Sequence, residues 1–131
     1  AAANMRDGIG KAAVDKAEPR GREPRSDGNA IEGLQKFRRH VAADPANPLF
    51  RFSLGQALLT EGAAAEAVEH LRLAAASKAD WMMPRILLGK SLQAVGDKPA
   101  AKAVFTDALA LAVAQGHEEP EEELRALLAT L

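Results

Sequence analysis

Residues 89–91 read Gly-Lys-Ser, the tail of a phosphate-binding loop. That chemistry needs G-x-x-x-x-G-K-[ST], because two glycines let backbone N–H groups wrap the phosphates. The first glycine should stand at 84, where the chain has Pro84, and no β-branched strand leads into the stretch. The three histidines, His40, His70 and His117, lie outside any H-x-x-x-H or H-E-x-x-H arrangement. His117-Glu118-Glu119 could touch a metal ion, but no second histidine is near it in sequence, so it reads as a solvated loop. Ser53, Thr60, Ser77, Ser91, Thr106 and Thr130 lack a nucleophile-elbow context. The carboxylates Glu118, Glu119 and Glu121 to Glu123 form a charge run of the kind that usually faces solvent. No catalytic residue, metal site or cofactor is expected, and the chain does not read as an enzyme.

Composition narrows the choice of partner. The 131 residues carry a formal net charge of −1, so nothing global attracts nucleic acid or an anionic membrane. Lys36, Arg38, Arg39 and His40 make a small basic cluster, but Phe37 between them fits a buried stripe. There are no cysteines, hence no disulfide or thiolate metal site. No apolar run approaches the roughly 20 residues of a membrane span, and no signal peptide is visible. A cytoplasmic location is the resulting expectation.

The elements that would position any site are helical. Alanine supplies much of the 47% hydrophobic content, while aromatic residues make up only 4%, so helices must pack through small side chains. Residues 1–29 contain six Gly and Pro residues and only Met5, Ile9 and Val14 as large aliphatics. They read as a flexible tail carrying a repeated "EPR" at 18–20 and 23–25. From Ile31 the texture changes: Ile31, Leu34, Phe37 and Val41 form a helical stripe, with Asn29 and Glu32 as a capping box. "DPANP" at 44–48 stops that helix. Further helices are expected within 49–62, 63–80, 81–97, 98–116 and 118–131.

A displacement of 34 residues superimposes the middle of the chain on itself. Leu54, Gly55, Leu58 and Gly62 fall on Leu88, Gly89, Leu92 and Gly96, while Ala67, Leu71 and Ala74 fall on Ala101, Phe105 and Ala108. Gly55 and Gly89 sit in mid-helix, where glycine costs about 1 kcal/mol relative to alanine, and close approach of a partner helix is the usual return. Gly62 and Gly96 end their helices in left-handed geometry. This pattern resembles the tetratricopeptide repeat family, in small bacterial proteins of about this size. The resemblance covers residues 30–131: a half repeat (30–46), full repeats (47–80 and 81–115) and a capping helix (118–131). It implies an all-α fold of antiparallel helical hairpins in a short right-handed solenoid. Gly89-Lys90-Ser91 is then repeat architecture.

In that family the first helices of successive repeats line a concave groove. Carried over by register, the groove-facing residues would be Leu49, Phe52, Gln56, Leu59 and Thr60, then Met83, Ile86, Lys90, Gln93 and Ala94. Phe52 and Gln56 stand where members that grip a terminal carboxylate have lysine and asparagine, so an apolar or amphipathic peptide is the implied partner. Any of Phe52, Leu59 and Ile86 could equally be core. Arg51 and Arg85 replace a bulky family residue at equivalent positions. They are candidates for an anion contact, or for laying their stems on the core and pairing with a neighbouring acid. The alternative function is self-association, a homo-oligomer in which another copy or the chain's own tail covers Ile31, Leu34 and Phe37.

Overall fold

The computed structural model describes the backbone of residues 27–131 and the side chains from Glu32 onward. Six helices follow one another: α1 (Asp27–Ala43), α2 (Pro48–Thr60), α3 (Ala64–Ser77), α4 (Met82–Ala94), α5 (Lys98–Gln115) and α6 (Glu118–Ala129), with no strand among the described residues. The expected tail lies outside the described residues up to 26. Its last three residues do not: Asp27–Asn29 open α1, so Asn29 lies inside the helix rather than capping it. By contacts the chain divides into Ala1–Gln35 and Lys36–Leu131, and the second unit holds every helix from α2 to α6.

Connections of two to four residues turn each helix from α3 onward back on the one before it. Accordingly α2 packs on α3, α3 on α4, α4 on α5 and α5 on α6, and α2 also touches α4. The starts of α2 and α5 are marked by short polar side chains and by proline. Asn47 accepts from the N–H groups of Leu49 (3.0 Å) and Phe50 (3.3 Å), just before Pro48, and Asp97 accepts from Ala100 (3.2 Å), just before Lys98-Pro99. Gly62, Gly96 and Gly116 have φ of 87°, 90° and 73°. Beyond each, the chain bonds back to the helix: Ala63 N–H to Leu58 O, Asp97 N–H to Leu92 O and His117 N–H to Ala112 O. These six-to-one closures satisfy carbonyls that would otherwise be left over.

The core is made where paired helices cross. Ala67, Leu71, Ala74, Ala101, Phe105, Ala108 and Ala112 have no exposed surface. A methyl group built on Gly55 would stand 2.6 Å from Leu71 Cγ, and one built on Gly89 would overlap the Phe105 ring. Both glycines are therefore required by approach, as the 34-residue spacing suggested. Ser91 is the buried polar residue of the core; its hydroxyl donates to Leu87 O at 3.0 Å, the ordinary solution for a serine inside a helix. Gly89-Lys90-Ser91 is thus three consecutive residues of α4 and not a loop.

Candidate peptide groove

The groove residues expected on α2 and α4 separate into three groups. Leu49 is 62% exposed and Met83 43% exposed, and Gln56 is also exposed. Phe52 and Leu59 are half-buried. Ile86 is corrected to a core residue, at 3% exposure. The reason is local: it lies one turn beyond Met82, also buried, on the side of α4 that meets its neighbours, and a helix packed against α2, α3 and α5 has little free surface. Thr60 is exposed and turns its hydroxyl back onto Gln56 O (3.0 Å).

Towards the C-terminal end of α4 the surface is taken by α6. Lys90 Nζ lies 2.8 Å from Glu123 Oε2, and Gln93 Nε2 donates to Thr130 Oγ1 at 3.4 Å. The acidic first turn of α6, with Glu118, Glu119 and Glu121, suits the positive end of its helix dipole. Lys90 and Gln93 are therefore engaged within the chain.

Beside the N-terminal end of α2 lies a groove of about 710 Å³, lined by Pro48 and Leu49 from that end, by Lys78, Asp80 and Trp81 from the connection between α3 and α4, and by Gln115 at the end of α5. Trp81, half-buried at the start of α4, packs against Phe52 with ring centroids 5.2 Å apart and planes inclined at 43°. The floor of this groove is pinned: Gln115 Nε2 donates to Asp80 O at 2.8 Å, and Arg85 donates to Lys78 O and Trp81 O. Sequence reasoning missed Trp81. Its signal was available, a lone tryptophan in the connection between two repeats, one residue before a helix.

Arg51 and Arg85 both hydrogen-bond within the chain. Arg51 Nε donates to Pro45 O (2.9 Å) and its Nη1 to His70 Nδ1 (3.0 Å), while Arg85 is held by the carbonyls of Lys78 and Trp81. Each arginine ties down the loop before its own helix, and neither pairs with an acid there. The basic cluster on α1 does not converge either: Arg38 forms a two-pronged ion pair with Glu66, and the His40 ring lies 4.9 Å from that of Phe50. His117 is exposed at the start of α6, and among the described residues no group of three His, Cys, Asp or Glu could hold a metal ion. No helix among them is long and apolar enough to cross a membrane.

Small-residue crossings, glycine-terminated hairpins and a 34-residue period define a helical-repeat protein. Likeness to known proteins gives the family. The chain is 36% identical over 101 residues to the TPR repeat-containing protein PA0015 of Pseudomonas aeruginosa, spanning 77% of this chain and 93% of that one. It belongs to the tetratricopeptide-repeat family. No protein-family model matches the chain. Among solved structures, the Bordetella parapertussis protein BPP2914 is similar with a TM-score of 0.64 and 28% identity, covering 74% of this chain and 84% of that one. The Yersinia enterocolitica type III secretion chaperone SycD, solved with a peptide of the translocator YopD, is similar with a TM-score of 0.71 at 16% identity, covering 79% of each chain. The latter likeness is one of fold.

Proposed function

We propose that this chain is a non-enzymatic protein-interaction module that holds an apolar or amphipathic peptide segment in the groove between the N-terminal end of α2 and the α3–α4 connection. One observation carries the reading: Leu49, 62% exposed, stands on the rim of a groove that also contains Trp81 and Pro48. A large aliphatic beside an aromatic wall is surface that water solvates poorly and that a partner side chain can cover. A fold like that of SycD, solved with a YopD peptide, supports the reading in outline. The occupant is held by its apolar side chains. Among its described lining residues the groove has one cation, Lys78, and one acid, Asp80, so it offers no cluster of cations to a terminal carboxylate.

The test is selection from a random peptide library displayed on phage, using the whole chain as bait. Enriched peptides should carry two or more large apolar residues at helical or alternating spacing. Leu49→Glu should weaken a selected peptide at least tenfold, whereas Leu73→Glu, at an exposed leucine on α3, should leave it within twofold. Failure to enrich such peptides, or equal losses from both variants, would overturn the proposal.

A further inference from the structure

His70 carries a second inference, independent of the peptide groove. It sits on α3 one turn beyond Glu66, between the arginine of α2 and the ion pair that α3 makes with α1. Its Nδ1 is 3.0 Å from Arg51 Nη1. A guanidinium has only donors and does not lose its proton in proteins, so Nδ1 must accept. The ring is therefore neutral and carries its proton on Nε2. The same guanidinium donates through Nε to Pro45 O, inside the turn Asp44–Asn47 that joins α1 to α2. That turn is otherwise closed by the Asn47 N–H to Asp44 O bond at 3.0 Å and a weak Asn47–Asp44 side-chain contact at 3.3 Å.

We propose that the His70–Arg51 pair is an acid-released latch on the turn between α1 and α2. Protonating Nδ1 replaces its lone pair with an N–H directed at another donor and sets two like charges at hydrogen-bond distance. Arg51 must then swing away, and Pro45 O loses its partner with it. The charged groups around the ring act in both directions: Arg51 and Arg38 oppose the imidazolium, Glu66 and Glu69 favour it. Burial, followed by Arg51, prevails and holds His70 below the ordinary imidazole value of 6.5.

The latched form binds fewer protons than the open one, so latching is complete above about pH 6.5 and is lost as pH falls toward the depressed His70 midpoint. Hydrogen bonding from Arg38 holds the neighbouring Glu66 below the ordinary carboxylate value of 4.5, which favours the charged form of that ion pair.

The experiment is a pH titration of the ¹⁵N-labelled full chain by NMR. At pH 7.5 the His70 ring shifts should report an unprotonated Nδ1, and the ring should titrate below 6.5. After correction for intrinsic exchange, opening measured at the Asn47 and Arg51 amides should rise as pH falls from 6.5. The rise is limited to about tenfold per pH unit, the ceiling for one proton, and levels off below the His70 midpoint. His70→Gln keeps an acceptor for Arg51 without a titrating group and should flatten that rise. A proton on Nδ1, a His70 midpoint at or above 6.5, or an unchanged rise in the glutamine variant would each overturn the latch. The first two readouts need only the natural chain, so they decide the matter even if the variant folds poorly.

Discussion

The hairpins α2–α3 and α4–α5 share one construction and differ in how it is filled. In both, a mid-helix glycine admits the partner helix and a large side chain lies in the space: Leu71 over Gly55, Phe105 over Gly89. In both, a glycine with φ near 90° ends the first helix. Their peripheries diverge. α2 is capped by Asn47, whereas Trp81 at the start of α4 makes no side-chain cap and instead packs on Phe52. Arg51 reaches a carbonyl and an imidazole; Arg85 reaches two carbonyls. What the hairpins retain is the close approach of two backbones, which tolerates no extra atom. What they vary is polar and aromatic contact at the helix starts, where solvent or a neighbour can absorb a change.

The largest effect should come from emptying the tighter crossing. Phe105→Ala removes a fully buried ring and should cost about 3–5 kcal/mol in urea unfolding, somewhat more than Leu71→Ala at the matching position. Equal costs would mean the two plugs are interchangeable. Next come the glycines. Gly89→Ala forces a methyl into a ring enclosed on all sides and should destabilise by about 2–3 kcal/mol, even after the gain in helix propensity. Gly55→Ala meets a leucine that can change rotamer, so about 1–2 kcal/mol is expected, and a reversal of that order would show that the ring adapts better than the leucine.

At the periphery the effects shrink. Asn47→Ala should cost about 1 kcal/mol, since two backbone N–H groups lose their acceptor, and its midpoint shift should appear without a change in the denaturant slope. Lys90→Met should change stability by less than about 0.5 kcal/mol, because its pairing with Glu123 is largely solvated. A loss above about 1 kcal/mol there would mean that this ion pair anchors α6 to α4, making α6 a working part of the second hairpin.

The crossings were legible because they depend on size alone. Gly55, Gly89, Leu71 and Phe105 recur 34 residues apart, and volume is written in the residue type. The groove was legible only in part. Leu49 and Met83 reach the surface, but Ile86, on the same helix as Met83, is buried, because helical register names a face without naming its occupant. For Arg51 and Arg85 the sequence left an anion contact and a stem laid on the core as alternatives, since it does not show which carbonyls a long side chain will meet.

Local rules determined several boundaries by themselves: a capping side chain and a proline start α2 and α5, glycines of positive φ end α2, α4 and α5, and the 34-residue period dictates the hairpins. Those features depend on residues within a few positions of one another or on side-chain size. Only the tertiary structure decided that Trp81 walls a groove with Leu49, that the C-terminal segment from α6 onward occupies Lys90 and Gln93, and that the His70 ring meets the Arg51 guanidinium. Each depends on which surface of one helix meets another across 19 residues of chain or more, and on what solvent that meeting excludes.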